Sequence, residues 1–469
     1  MSIEPIGIFT VALGLVCLAL GYRAAATVFI VMALFGSAAA ILAGSANVQP
    51  AHLFLLFLAI AAVQSGARRT VVLKTLSFGQ PGFWLACLVV YGAVTAYFSP
   101  RLFAGITQII PLGVSEYPSS GGTVPLGPVS SNLTQTIYLV ADLVCFLLIV
   151  AVGSSRSGFQ AIVNGLIAYA AFNVVFALLD LATNATGTSD TLQFMRNAQY
   201  TFHDNDTVNG MKRIVGSWPE ASAFAGTTLG AFGFTATLWL CSRRLNWTGP
   251  LSLASLMLII MSTSSTGLVA APICLVVLYA TALVRSGVDR GSRHSTAVVL
   301  LAPPLVVAAA LIVLLYQDLY NLVHDYVDLL VLSKSGSASG MERGSWNTYG
   351  LGNFVDSWGL GVGLGTARTS SFPVALLSNV GIPGMMFFLL FAFAALGSRR
   401  DARRTYEADV ALAARNGCLC LLVGAMLAGA TVDLGLLFFI FAGLASCRTA
   451  SAEEIMVPAV PLRGRPSEA

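Results

Sequence analysis

The sequence predicts an all-α polytopic membrane protein of about 12–13 transmembrane helices, on two compositional observations and one of pattern. Of its 469 residues, 56% are hydrophobic and only 10% are charged, whereas a soluble domain carries about 25% charged residues. Mean hydropathy is +0.80. Apolar runs of bilayer-crossing length recur along the whole chain, so spans rather than soluble domains are its units. The net charge of +4 is small and sits at loop ends, which argues against nucleic acid as a partner.

About thirteen apolar segments are long enough, or nearly so, to cross a bilayer. They run roughly 4–21, 24–43, 50–66, 82–98, 133–153, 159–180, 219–241, 250–264, 267–284, 296–316, 372–396, 409–429 and 432–447. The first lacks a basic flank and reads as a span rather than a cleavable signal. Only S-T-S-S-T-G (262–267) separates the eighth from the ninth. They read as a tight hairpin or as one long span with a broken centre.

Basic residues order these segments. Arg23; Arg68, Arg69 and Lys74; Arg156; Arg243 and Arg244; Arg285, Arg290 and Arg293; and Arg399, Arg400, Arg403 and Arg404 fall in every second loop. Arg415, Arg448, Arg463 and Arg465 are assigned to the same side. The positive-inside rule places that side in the cytoplasm, with the N-terminus outside and the C-terminus inside. The alternation holds only if the eighth and ninth segments are two crossings.

The other cations are Arg101, Arg196, Lys212, Arg213, Lys334, Arg343 and Arg368. All lie in three long outer loops, about 99–132, 181–218 and 317–371, and loops of such length are usually functional or disordered. The expected organisation is one transmembrane domain over 1–447 and a disordered cytoplasmic tail over 448–469. The third outer loop opens with polar residues at 317, 318, 321, 324, 325 and 328, the spacing of an amphipathic helix along the outer interface.

Cys17, Cys87, Cys145, Cys241, Cys274, Cys418, Cys420 and Cys447 all lie in apolar runs or at their ends, so no disulfide is expected. Cys418 and Cys420 do not make a metal site.

Three outer stretches carry the candidate chemistry. Residues 213–225 read R-I-V-G-S-W-P-E-A-S-A-F-A, with Arg213 and Glu220 at the mouth of an apolar helix. Charged groups at a membrane boundary are costly and are functional candidates. A structural reading competes: Ser217-x-x-Glu220 fits a capping box, with Pro219 in the first helical turn. Arg213 gains nothing from such a cap. The second stretch, Glu342-Arg343-Gly344-Ser345-Trp346-Asn347, follows a Ser/Gly run over 333–340. Its plain alternative is a solvated loop charge; Trp346 and Trp358 suit interface anchors or platforms for sugar faces. The third, G-L-G-V-G-L-G-T-A-R-T-S-S (359–371), alternates glycine and ends on Arg368. It reads as half of an anion site or as a flexible re-entrant loop. No Walker-type Lys-Ser/Thr pair follows.

Arginine forks match phosphate oxygens and stay charged, so Arg213, Arg343 and Arg368 suit a pyrophosphate at the bilayer surface. No Asp-x-Asp or His cluster points to a metal, and no cofactor is expected. His52, His203, His294 and His324 share no spacing and read as structural. Asp142, a carboxylate inside an apolar run, reads as a hydrogen-bonding partner for neighbouring helices.

In this order the stretches resemble the O-antigen ligase and polymerase superfamily of bacterial envelope glycosyltransferases. The resemblance rests on R-I-V-G-S-W-P-E-A-S-A-F-A (213–225), S-T-S-S-T-G (262–267), F-V-D-S-W-G-L-G-V-G-L-G-T-A-R (354–368) and L-L-S-N-V-G-I-P-G (376–384). The first outer loop, from F-S-P-R-L-F-A-G (98–105) to S-N-L-T-Q (131–135), is similar to exopolysaccharide polymerases of this group. The resemblance implies a metal-free C-type glycosyltransferase (GT-C) fold in the bacterial inner membrane. The implied partner is an undecaprenyl-pyrophosphate-linked oligosaccharide, with a chain-length regulator and a flippase of the same pathway. Two or more outer arginines then hold the pyrophosphate. Ligases of the superfamily carry a His where this chain has Arg368-Thr369-Ser370-Ser371-Phe372-Pro373. That departure points from a ligase toward a repeat-unit polymerase and leaves the catalytic base open.

The expected roles are Arg213 and Arg368 on pyrophosphate, Arg343 on pyrophosphate or acceptor, and Trp218 and Trp346 on substrate. Glu220 is the first choice of general base and Asp356 the second. An O-antigen ligase, a transporter or flippase of lipid-linked sugar, and a membrane scaffold are the competing readings.

Overall fold

A computed structural model of the chain describes residues 2–43, 46–116, 122–199, 206–208, 210–286, 292–397 and 405–448. His203, Arg290, Arg399, Arg400, Arg403, Arg404, Arg463, Arg465 and the tail after residue 448 lie outside the described residues.

Every one of the thirteen apolar segments holds a helix. Helices α1 (Pro5–Leu20), α2 (Tyr22–Met32) and α3 (Pro50–Val63) open the chain, followed by α4 (Gly66–Thr75), α5 (Pro81–Leu102), α6 (Ser131–Gly153) and α7 (Arg156–Thr186). Then come α8 (Ala221–Leu240), α9 (Leu245–Met261), α10 (Ser265–Ser286), α11 (Arg293–Leu315), α12 (Gln317–Val327) and α13 (Ala338–Asp356). Helices α14 (Phe372–Leu396), α15 (Tyr406–Ala428) and α16 (Leu436–Ser446) close the fold. Eight are long and apolar enough to cross a membrane: α5, α6, α7, α8, α10, α11, α14 and α15. The chain is thus an all-α, multi-pass membrane protein.

The other predicted spans are shorter than expected. Helices α2 and α16 have 11 residues each, or about 16 Å at 1.5 Å per residue against a hydrocarbon core of about 30 Å. Irregular backbone completes their depth. Residues 36–40, after α2, are all buried, as lipid-depth backbone must be when it is not helical. Helices α3 and α4 meet at 114°, so the basic Arg68–Lys74 stretch turns away from the span before it. Helices α9 and α10 are separate and both pack on α8, with Thr263 at φ 50° in the turn between them.

The expected amphipathic helix forms as α12. Helix α13 was not expected, because its first turns hold the Ser/Gly run. Ser337 starts it by accepting the Gly340 amide at 3.1 Å, a standard N-cap.

All three long loops gather on one face. Asn132 Nδ2 donates to the Leu364 carbonyl at 2.8 Å, and the Arg368 amide to the Ile110 carbonyl at 2.9 Å. The Ala39 amide donates to Asn197 Oδ1 at 2.9 Å. The N-terminal strand β1 (Ser2–Ile3) pairs there with β2 (Ile41–Ala43), which pairs with β3 (Ala46–Val48), both antiparallel. Elsewhere Asp409 clamps α8, α10 and α15: Arg243 Nε lies 2.7 Å and Arg285 Nη2 2.5 Å from its oxygens. None of the eight cysteines, all among the described residues, forms a disulfide.

The glycine run is neither an open cradle nor a flexible loop. Residues 361–367 are buried and mend a break in α14. Gly381 leaves the helical conformation at φ 61°, which orphans backbone groups on either side. The run supplies their partners: Val362 and Gly363 amides donate to Ser378 and Asn379 carbonyls at 2.8 and 3.0 Å, and the Gly359 carbonyl accepts from Ile382 at 2.8 Å. A side chain at Gly361 would meet the Asn379 carbonyl oxygen at 2.6 Å, so glycine serves a backbone–backbone approach.

Candidate functional site

The turn before α8 is built on a buried carboxylate that sequence reasoning missed. Asp180, near the end of α7, is 1% exposed. Its Oδ2 accepts the Val215 and Gly216 amides at 2.9 and 3.1 Å. Its Oδ1 lies 2.7 Å from Arg196 Nη2 and 3.4 Å from Lys212 Nζ. Arg196 Nη2 also donates to the Gly216 carbonyl at 2.7 Å. The chain is thereby fixed on both sides of Arg213. The available signal was an Asp where an apolar run gives way to a long loop.

The capping box does not form. Ser217 Oγ donates to the Leu34 carbonyl at 2.8 Å. Glu220, not Ser217, is the N-cap residue of α8, and its side chain makes no capping bond. The Asp180 clamp on residues 215 and 216 sets this local path, turning Ser217 toward the α2 end. Pro219 accordingly precedes the helix instead of lying in its first turn.

Glu220 is therefore available to other groups. Its Oε1 accepts from the Ser222 hydroxyl, and its Oε2 lies 3.7 Å from Arg343 Nη2 on α13. Arg213 Nη1 lies 3.6 Å from Asp206 Oδ2, while its buried Nε has no hydrogen-bond partner. Arg368 stacks its guanidinium over Trp346 at 4.0 Å from the ring centroid. Helix α13 is held to this loop by Asn347, whose Oδ1 accepts the Ser370 amide at 2.8 Å.

Electrostatics tie these groups into one cluster and add Lys334 and Glu342. Burial pushes Lys334 below its usual range, Arg213 and Arg343 push it further, and Glu220 opposes them. Burial likewise disfavours the Arg368 charge; Glu342 and Glu220 support it, and Arg343 opposes it. Among the described residues, neither Lys334 nor Arg368 has an ion-pair partner within 4.0 Å. Four cations, Arg213, Lys334, Arg343 and Arg368, meet three carboxylates, Asp206, Glu220 and Glu342. Lys334 sits in the Ser/Gly run and carried no motif that singled it out.

Two predicted residues lie apart from this cluster. Asp356 ends α13, thirteen helical residues or about 20 Å along the axis from Arg343. Trp218 packs its ring with Ile214, Phe224 and Leu258 under the turn, and its buried Nε1 has no partner. Trp346 has one ring face occupied by Arg368.

A cluster of this kind can chemically hold a polyvalent anion. Guanidinium forks offer paired donors, and partial burial strengthens their pull on phosphate oxygens. Among the described residues, no three His, Cys, Asp or Glu side chains are grouped to hold a metal ion. No family model matches the chain, and no curated protein matches it.

Proposed function

We propose that this protein is a polysaccharide polymerase of the bacterial inner membrane. It joins undecaprenyl-pyrophosphate-linked oligosaccharide repeat units on the outer face by inverting glycosyl transfer. The observation that carries this reading is the electrostatic cluster of Arg213, Lys334, Arg343 and Arg368 on the loop face of a membrane bundle, where neither Lys334 nor Arg368 has an ion-pair partner among the described residues. The residues resembling the O-antigen ligase and polymerase superfamily supply the substrate class.

In this reading an acceptor sugar hydroxyl attacks the anomeric carbon of the donor glycan. The new C–O bond forms as the bond to pyrophosphate breaks, and lipid pyrophosphate leaves. Charge grows on the departing phosphate, so fixed cations act most strongly in the transition state. Arg213, Arg368 and Lys334 hold the pyrophosphate. Glu220 takes the hydroxyl proton, oriented by Ser222 and Arg343. Asp356 has no part in this mechanism because of its place at the far end of α13.

The test is turnover of purified full-length protein with lipid-linked repeat units in liposomes. A ladder of lengthened lipid-linked glycan supports the proposal. Transfer only to a different acceptor means a ligase. Movement of the lipid across the bilayer without bond formation means a flippase.

A further inference from the structure

Helix α6 carries a polar stripe at Ser131, Gln135, Tyr138 and Asp142, spaced for one helical face. At its outer end Ser131 Oγ donates to the Gly365 carbonyl at 2.6 Å. At its inner end Asp142 is 1% exposed, and neither of its carboxylate oxygens has a hydrogen-bond partner. The residue that acts on it is another acid, Asp433, brought to α6 by the packing of α16 there, where Cys145 Sγ, one turn past Asp142, lies 3.9 Å from the Leu436 carbonyl oxygen. Asp433 comes from the segment that precedes the short α16, and its Oδ1 accepts the Gly435 amide at 2.6 Å.

The other walls are neutral or titratable. The His52 ring of α3 packs at a tilt of 37° against Tyr138 with centroids 4.9 Å apart, and Asp433 acts on it electrostatically. Its Nδ1 is buried without a partner, as is Oε1 of Gln135, a residue only 8% exposed. Cys145 lies beside Asp142 on the α6 side. Among the described residues, no Lys or Arg comes within 4.0 Å of either acid.

Two carboxylates are pure acceptors when ionised, so each leaves the other unsatisfied. Like charges so close in an apolar interior cannot both persist. We propose that Asp142 and Asp433 form a proton-binding site in the membrane interior, with one proton held between the two carboxyl groups. The shared proton supplies the donor that the Asp142 oxygens otherwise lack. The site is separate from the arginine cluster and does not depend on the function proposed for it.

The experiment uses dicyclohexylcarbodiimide, an apolar reagent that consumes protonated carboxyl groups in apolar surroundings. The carboxyl proton moves to a carbodiimide nitrogen as the carboxylate oxygen bonds the central carbon, and the adduct rearranges to an N-acylurea. Full-length protein in liposomes is treated at a series of pH values, and labelled peptides are quantified by mass spectrometry. We expect one adduct per chain, on Asp142 or Asp433, at about pH 7. Its initial rate falls roughly tenfold per pH unit once the shared proton is lost. Absence of adduct on both residues between about pH 6 and pH 8 overturns the proposal. So does labelling that sodium ions suppress at constant pH, since the site then binds sodium instead.

Discussion

Glu220 begins helix α8, yet its carboxylate does not cap that helix; it faces Arg343 of α13, with Oε2 3.7 Å from Nη2. One contact thus joins two loops more than a hundred residues apart in sequence. Glutamine keeps the shape of this carboxylate but cannot take a proton. Glu220→Gln is therefore expected to abolish polymer formation, with thermal stability near wild type because no helix cap is lost. Asp356→Asn is expected to retain wild-type turnover. Activity in Glu220→Gln assayed on lipid-linked repeat units would falsify the base assignment.

Arg213 and Arg368 act on developing phosphate charge in the proposed mechanism, and Arg343 orients the base beside them. Each change to Ala is expected to lower turnover by roughly 10²–10³-fold, about 3–4 kcal/mol, as for other preorganised donors. The readout is polymer formed per expressed protein. Wild-type polymer from all three variants removes the pyrophosphate assignment.

Lys334 gives the site a pH signature. Burial, Arg213 and Arg343 hold it below the ordinary 10.5, so its charged form is the costly one in the fold. That cost is present in full below the depressed value. Between it and 10.5 the unfolded chain binds more protons, so this group makes stability rise with pH across the window. A bound anion favours the charged form and takes up a proton in the same window. Inorganic pyrophosphate affinity is thus expected to fall there with rising pH. Lys334→Met should bind more weakly at neutral pH and fall less steeply. Calorimetric titration of both proteins cancels the ionisation of pyrophosphate itself; parallel pH curves would remove Lys334 from the site.

Asp180 holds the Arg213 turn through two backbone amides and two buried cations. Removing one member of a buried charge network leaves the others uncompensated, at about 3–5 kcal/mol. Asp180→Ala should therefore lower the thermal unfolding midpoint of detergent-purified protein markedly, and Asp180→Asn less. An unchanged midpoint in Asp180→Ala contradicts this placement.

Gly381 breaks α14 at φ 61°, and a side chain there would clash with the Gly359 carbonyl oxygen. Gly381→Ala is expected to cost about 1–3 kcal/mol in backbone strain, with the clash in addition. The loss should appear as a lower unfolding midpoint and as protease sensitivity near residue 365. A variant as stable as wild type on both measures rules out the mended break.

Much of this architecture is legible in the chain itself. Each of the thirteen apolar segments contains a helix, and the amphipathic spacing at 317–328 marks α12. Helix length was less legible. The runs 24–43 and 432–447 are apolar throughout, but α2 and α16 occupy only part of them. Buried irregular backbone and strand β2 complete the first run, and half-buried irregular backbone over 433–435 leads into α16 in the second. Arg213, Arg343 and Arg368 stood out through their placement in outer loops, whereas Lys334 looked like one more charge in a Ser/Gly run. The capping box was a sound local pattern defeated by a distant one: Asp180 and Leu34 claim the groups that it needed.

The sequence by itself determined the solvent of this protein and its succession of helices. In lipid, an apolar run must satisfy its own backbone, so local composition suffices to specify a helix. Tertiary structure decided which loop residues meet. Arg368 reaches the cluster because its amide is fixed to Ile110 and the next residues to Asn347, while the glycine run fills the break in α14. These are hydrogen bonds between groups far apart in the chain. They depend on packing geometry, and no periodicity in the amino-acid order encodes them.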